Sequence, residues 1–189
     1  MHVLCDTCSV LMLLRIAPEM FLDPRFECAT LQVVYRELRQ QPRFKTKYPW
    51  LKDYLAKVRG LPQTQVEAGE YRRTLSTLRL LRDATRSRSE NRRFLLSPAD
   101  LEVAAAVVAH KYRISTAERA LEEFLLQEFD VHNDAPLAVV NDWMEEGLIA
   151  WGDAQQRVLE DWIVQSERRQ PLLEIQRFEK LARRKYPRS

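Results

Sequence analysis

Four carboxylates stand at points along this 189-residue chain where a folded sheet would gather them. Asp6 follows the apolar run Val3–Cys5, which is typical of a buried strand that ends in an acid. Glu37 and Asp100 lie on two predicted helices, and Glu118 follows a further predicted strand. Because functional groups collect at the carboxyl ends of parallel strands, we expect the four acids to share one cleft.

The chemistry that such a cleft favours is metal binding. Clustered carboxylates repel one another and resist ionisation unless a cation lies among them. Oxygen donors favour Mg²⁺ or Mn²⁺, and such an ion can activate water and stabilise the charge that develops on a phosphodiester.

Each acid also has a purely structural interpretation. Asp100 is explained as a capping residue, Glu37 as the partner of a nearby arginine, and Glu118 as a helix-start acid that the helix dipole favours. Asp6 is the hardest to explain in this way, since an acid at the end of an apolar strand needs a partner.

Short strands that alternate with helices are expected to position these acids. Apolar runs predict strands at Val3–Cys5, Phe26–Ala29, Tyr112–Thr116 and Phe129–His132, and Gly60-Leu61-Pro62 predicts a turn. Two predicted helices have a recognisable cap: one starts at 31 after Thr30, and the other starts at 98 after Ser97. Helical spacing predicts six further helices, at about 50–58, 65–86, 118–127, 137–146, 153–167 and 172–185. This alternation predicts an α/β fold with a central parallel sheet of about four short strands.

The charge of the chain is unevenly distributed, although its net value is only +3. Segments 36–59 and 72–93 each hold eight basic residues against two acids, and segment 167–189 holds eight against three. Segment 97–153 holds twelve acids against three basic residues. Basic segments attract phosphate backbones, although arginine-rich helices also occur as solvated faces with internal ion pairs.

The arginines of the middle basic segment are the predicted RNA-binding residues. They are Arg72, Arg73, Arg79, Arg82, Arg86, Arg88, Arg92 and Arg93.

Composition excludes several classes of protein. The chain has no apolar run of about 18 residues and no basic leader, so we expect a cytoplasmic protein without a membrane span. It has no glycine-rich phosphate loop, which argues against ATP or NAD chemistry. The three cysteines, Cys5, Cys8 and Cys28, are too few for a paired zinc motif and are interpreted as buried thiols.

Four motifs, one around each acid, carry a resemblance to a known family. They are Val-Leu-Cys-Asp6-Thr-Cys-Ser, Val34-Tyr-Arg-Glu37-Leu, Ser97-Pro-Ala-Asp100-Leu-Glu-Val-Ala and Ile114-Ser-Thr116-Ala-Glu118-Arg-Ala-Leu121. In their order and spacing they resemble the motifs of PIN-domain ribonucleases, and the resemblance covers roughly residues 1 to 150.

The resemblance implies a PIN-like three-layer fold and a metal-dependent endoribonuclease, most familiar as the VapC-like toxin of bacterial toxin–antitoxin pairs. Asp6, Glu37 and Asp100 would then bind Mg²⁺ or Mn²⁺, and Glu118 stands where the family has Asp. Thr7 and Thr116 would support these ligands by hydrogen bonds. RNA as the substrate, an antitoxin-like protein partner and a homodimer are further implications of the resemblance.

The chain departs from a minimal toxin of that family in its size. We assign a PIN-like domain to residues 1–150, with a basic helical insertion at about 42–94, and a helical basic extension to residues 151–189. Three hypotheses therefore stand: an active ribonuclease, a weakened PIN-like domain that binds RNA or protein, and a helical interaction protein in which the acids are incidental. The second hypothesis follows from Glu118, which is one methylene longer than Asp.

Overall fold

A computed structural model describes residues 2–61, 68–165 and 167–187 of the chain. In these ranges four strands form one parallel sheet: β1 (Val3–Cys5), β2 (Cys28–Leu31), β3 (Gly60–Leu61) and β4 (Arg113–Ser115). Their order across the sheet is β3-β2-β1-β4. The predicted α/β class with about four short parallel strands is confirmed, and a purely helical architecture is excluded.

The described part of the chain also contains ten α-helices and two 3₁₀ helices, the latter at Pro24–Phe26 and Leu55–Lys57. The ten α-helices are α1 (Thr7–Leu13), α2 (Gln32–Gln40), α3 (Pro42–Lys47), α4 (Leu51–Tyr54), α5 (Ala68–Ala84), α6 (Pro98–His110), α7 (Arg119–Phe129), α8 (Pro136–Glu145), α9 (Asp153–Val164) and α10 (Leu172–Ala182). Parts of the predictions for 60–62, 65–86 and 153–167, and the last two residues of the basic tail, lie outside the described residues.

The central strand β1 is apolar on both faces because it is covered on both sides. Val3, Leu4 and Cys5 are all buried, as expected of a strand inside a parallel sheet. The predicted helix cap at Thr30 is wrong, because Thr30 belongs to β2 and its hydroxyl donates to the Cys5 carbonyl at 2.8 Å. This bond ties β2 to β1, and α2 begins two residues later.

Gly60 forms part of a strand, so the predicted turn at this point is wrong. The strand lies against β2, with Gly60 in register with Thr30 and Leu61 in register with Leu31. A Cβ on Gly60 would lie 2.6 Å from the Gln32 Cα and 2.7 Å from its nitrogen. Only glycine allows these two segments of the chain to approach this closely.

The predicted strand Phe129–His132 is also wrong. Asp130 ends α7 in the left-handed conformation, with φ 54°, and turns the chain away from a strand path. Asn133 instead makes a single parallel bridge to Ile114. Its side-chain amide accepts from the Thr116 nitrogen at 2.8 Å and donates to the Thr116 carbonyl at 3.0 Å. The Asn133 side chain therefore makes the hydrogen bonds that a neighbouring strand would otherwise make at the end of β4.

The C-terminal helices share the hydrophobic core of the sheet. The buried Trp162 of α9 donates its indole N–H to the Met12 carbonyl at 3.1 Å. Helix α10 packs on α8, where the buried Asn141 amide donates to the Glu174 carbonyl at 3.0 Å and to its carboxylate at 2.8 Å. Phe178 of α10 is fully buried.

The structure bears on two expectations from composition, the absence of a membrane span and the state of the cysteines. In the described ranges no helix has the length and apolar character that crossing a membrane requires. The three cysteines are free thiols, with Cys5 buried and the other two partly buried.

Candidate active site

Asp6 joins β1 to α1 and is bound from two sides. Its carboxylate caps α1 by accepting from the Ser9 nitrogen at 2.7 Å, and it also accepts from the Thr116 hydroxyl. The side chain is almost fully buried, and burial raises its pKa to about 7 despite these hydrogen bonds. The nearby Asp100 carboxylate adds to the increase. Burial therefore favours the protonated form of this acid.

Asp100 is positioned by the start of α6, as its sequence predicts. The Ser97 hydroxyl accepts from the Asp100 nitrogen at 3.1 Å, and the Asp100 carboxylate accepts from the Ser97 nitrogen at 2.7 Å. This capping box fixes the carboxylate in the first turn. Burial raises the Asp100 pKa, the Ser97 bonds oppose the increase, and the charges of Glu118 and Glu37 add to it.

Glu37 and Glu118 complete the predicted set of acids. Glu37 lies on α2, where its carboxylate accepts from the Thr7 hydroxyl at 2.5 Å and lies 3.5 Å from an Arg43 nitrogen. Glu118 caps α7, and its own nitrogen donates to the Thr116 hydroxyl at 2.9 Å. Thr7 and Thr116 thus make the hydrogen bonds expected of supporting residues.

All four acids line one cavity of about 490 Å³ at the edge of the sheet where β1 and β4 end. Thr7 and Cys8 also line it. Burial and the surrounding carboxylates raise the pKa of Cys8, so its thiol stays protonated and is a poor nucleophile or redox group.

The cavity also holds side chains that sequence reasoning missed. Arg43 and Lys47 project into it from α3, and Glu167 reaches it from the segment after α9. Lys47 pairs with Glu167 at 2.8 Å, and the Tyr48 hydroxyl donates to the same carboxylate. The i, i+4 spacing of the two cations after Pro42 is the one sequence signal that places them on a common face.

The donor set fits a hard divalent cation by chemistry, because it consists of carboxylates whose mutual repulsion a cation would relieve. In the described part of the chain, however, no three His, Cys, Asp or Glu side chains stand in an arrangement that could hold a metal ion. Mg²⁺ commonly uses only one or two carboxylates together with water and substrate phosphate. A site of that kind needs no complete protein cage.

The arginines predicted to bind RNA lie outside this cavity. Arg72, Arg73 and Arg79 are exposed on α5 and form no ion pair with any described residue. Arg82 pairs with Asp83, and Arg86 donates to the Asn91 carbonyl.

The loop after α5 carries the remaining predicted arginines. Arg88 is exposed there, and Arg92 pairs with Glu90. Arg92 and Arg93 line a smaller cavity of about 150 Å³ that Glu118 also borders. This smaller cavity and the carboxylate cavity are separate, but both are bordered by Glu118, so the basic side chains lie next to the acids.

Comparison with known proteins yields no relative. No family model matches the chain, and no significant match is found among curated proteins or among solved structures.

Proposed function

We propose that this protein is a divalent-metal-dependent endoribonuclease with a PIN-like site formed by Asp6, Glu37, Asp100 and Glu118. The observation that carries the proposal is that four acids from four separate segments line one cavity at the carboxyl edge of a parallel sheet. In open parallel sheets this edge is where active sites are found.

The residues have distinct roles in this proposal. One or two of the carboxylates of Asp6, Glu37, Asp100 and Glu118, together with water and the RNA phosphate, would hold Mg²⁺ or Mn²⁺, and the ion would supply a Lewis acid and an activated water for phosphodiester hydrolysis. Thr116 fixes the Asp6 carboxylate, and Thr7 fixes that of Glu37. Arg43 and Lys47 supply positive charge on the wall of the same cavity, where they can bind the phosphate.

The first prediction is that Asp6→Asn or Asp100→Asn lowers divalent-dependent RNA cleavage by at least about 100-fold, because each removes a metal-binding charge. Asparagine keeps an oxygen that accepts the helix-capping bonds, so both variants should fold. The assay uses a labelled single-stranded RNA with Mn²⁺, with Mg²⁺ and with EDTA, and circular dichroism checks the fold.

Asp130→Asn is the matched control, since Asp130 is exposed and lies outside the cavity. It should cleave as wild type does. Full activity of a folded Asp6→Asn variant would contradict the proposed site.

A weakened PIN-like domain that binds RNA or protein is the second candidate, favoured by the lack of a ready three-carboxylate group among the described residues. Glu118→Asp distinguishes the two. Asp is the residue that PIN-domain ribonucleases have at this position, so in a detuned nuclease the variant should cleave several-fold faster. No cleavage by wild type or by this variant, measured with millimolar Mn²⁺, would favour the binding module.

A further inference from the structure

Two hydrogen-bond donors on the wall of the carboxylate cavity converge on a single oxygen atom. The Lys47 ammonium donates to Oε1 of Glu167 at 2.8 Å, and the Tyr48 hydroxyl donates to the same atom. Burial and the bond to Glu167 raise the pKa of Tyr48 to about 12, so this hydroxyl keeps its proton and remains a donor. An ammonium beside a hydroxyl donor can bind an oxygen of a phosphate as it binds this carboxylate oxygen.

The fold fixes Glu167 in this position. Its backbone nitrogen donates to the Trp162 carbonyl at 2.8 Å, and the buried Trp162 is bonded in turn to the Met12 carbonyl. The Glu167 side chain is 14% exposed, against 42% for that of Lys47. The carboxylate is therefore a built part of the cavity wall and differs from a surface acid that pairs with a passing lysine.

Glu167 adds a fifth carboxylate to a cavity that four acids already line. The lining holds two cations, Arg43 and Lys47, and each has an acid partner on the same wall, since Glu37 lies 3.5 Å from an Arg43 nitrogen. An RNA phosphate that binds Lys47 must therefore displace Glu167. Because like charges repel, Glu167 also opposes the entry of any anion.

The Glu167 side chain has space into which it can move. It borders a neighbouring cavity of about 260 Å³, which lies between α1, the turn that follows α3, and α9. Lys47 and Tyr48 border both cavities and form part of their common wall. A rotation of the Glu167 side chain toward the neighbouring cavity would free both donors while α3 and α9 stay in place.

We propose that Lys47 and Tyr48 form a phosphate-binding site for RNA, and that Glu167 occupies this site in the free protein and competes with the RNA. The proposal rests on the proposed ribonuclease function and gives it a substrate contact and an internal competitor. A phosphate bound at this site lies on the wall of the cavity that the four acids line.

The test compares wild type, Glu167→Gln, Lys47→Met and the double variant. Fluorescence anisotropy measures the binding of each protein to a labelled single-stranded RNA of mixed sequence, in EDTA and over a series of salt concentrations. Glutamine keeps the shape of Glu167 and an oxygen that accepts from Tyr48, but it removes the charge. The variant should therefore fold, which circular dichroism checks.

We expect Glu167→Gln to bind RNA about threefold to tenfold more tightly than wild type at low salt, because it removes a repulsive charge and releases Lys47. The slope of the logarithm of affinity against that of salt concentration should become steeper by about one, as for one added phosphate contact. Most of the gain should require Lys47, so the double variant should exceed Lys47→Met by less than about twofold.

Glu160→Gln is the matched control, because Glu160 is exposed on α9, lies outside both cavities and loses the same charge. It should bind RNA as wild type does. Three results would overturn the proposal: no gain in affinity for a folded Glu167→Gln variant, the same gain without Lys47 or in Glu160→Gln, and no RNA binding by any of the proteins.

Binding in EDTA requires neither metal nor cleavage, so the two proposals fail separately. Metal-dependent cleavage by wild type, with unchanged RNA affinity in Glu167→Gln, would reject the competing role of Glu167 alone. A Lys47-dependent gain in affinity without cleavage in Mn²⁺ would reject the nuclease and leave an RNA-binding module with an internal competitor.

Discussion

Asp6 is the residue whose burial conflicts most with its charge. Its pKa is raised from 3.8 to about 7, so between these values the folded protein binds a proton that the unfolded chain has released. The contribution of Asp6 to the free energy of unfolding is therefore fully present below pH 3.8 and falls as the pH rises to about 7. Above that pH the contribution stays lost. Since one pKa unit corresponds to about 1.4 kcal/mol, this loss is on the order of 4 kcal/mol.

The resulting prediction concerns Asp6→Asn in EDTA. The variant cannot ionise, so its melting temperature relative to wild type should rise as the pH increases from 4 to 8. Thermal unfolding followed by circular dichroism at several pH values measures this difference, and Asp130→Asn serves as the exposed comparison. Parallel curves for wild type and Asp6→Asn would show that Asp6 ionises normally.

At this scale the sequence predicts the acids better than their surroundings. Asp6 and Asp100 are marked by local signals, the end of an apolar run and a helix cap, so their positions follow from neighbouring residues. Lys47 and Glu167 are 120 residues apart and meet only through tertiary packing. Apart from the i, i+4 spacing of Lys47 with Arg43, no local pattern distinguishes these two charges from others on the surface, so the sequence does not predict that they pair.

At the scale of the secondary-structure elements, the junction of β3 and α2 leaves no space for a side chain at Gly60. Gly60→Ala would place a methyl group about 2.6 Å from the Gln32 backbone, which must move, and Gln32 begins the helix that carries Glu37. We expect a loss of about 1–3 kcal/mol in the free energy of unfolding, as for other overpacked sites. Chemical denaturation measures it.

Gly69→Ala is the matched control for this change. A Cβ on Gly69 meets nothing within 4 Å, and the residue lies in α5, so alanine should stabilise the protein by up to about 1 kcal/mol through helix propensity. If both substitutions had the same effect, the close approach at Gly60 would not limit stability.

The sequence predicts the strands and helices that have strong local signals. It does not predict those that form only because another segment of the chain lies beside them. The Ser97 cap marks the start of α6, and the run Val3–Cys5 marks β1. Strand β3 has only two residues and exists because β2 lies beside it. At Phe129–His132 the apolar and polar pattern favoured a strand, but the left-handed Asp130 redirected the chain.

For the whole molecule, the predicted C-terminal extension contributes to the core of the domain. Phe178 of α10 packs edge to face with Trp151 at 4.8 Å and with Tyr186 at 6.0 Å. Because its ring is fully buried, Phe178→Ala should lower the free energy of unfolding by about 3–5 kcal/mol.

Urea denaturation checks this value. Leu173→Ala on the same helix, where the side chain is 78% exposed, should change stability by no more than about 0.5 kcal/mol. A loss below about 1 kcal/mol for Phe178→Ala would mean that α10 is only loosely attached.

The bond between Asn141 and Glu174 has a consequence for how the protein is made. Helix α8 leaves the ribosome before α10. The Asn141 amide and the apolar surface around it therefore stay uncovered until Glu174 and the rest of α10, about thirty residues later in the chain, have been synthesised. Until α10 arrives, the nascent chain exposes surface of the kind that chaperones bind. The sheet and its acids precede this step in the chain, so final closure of the core follows their synthesis.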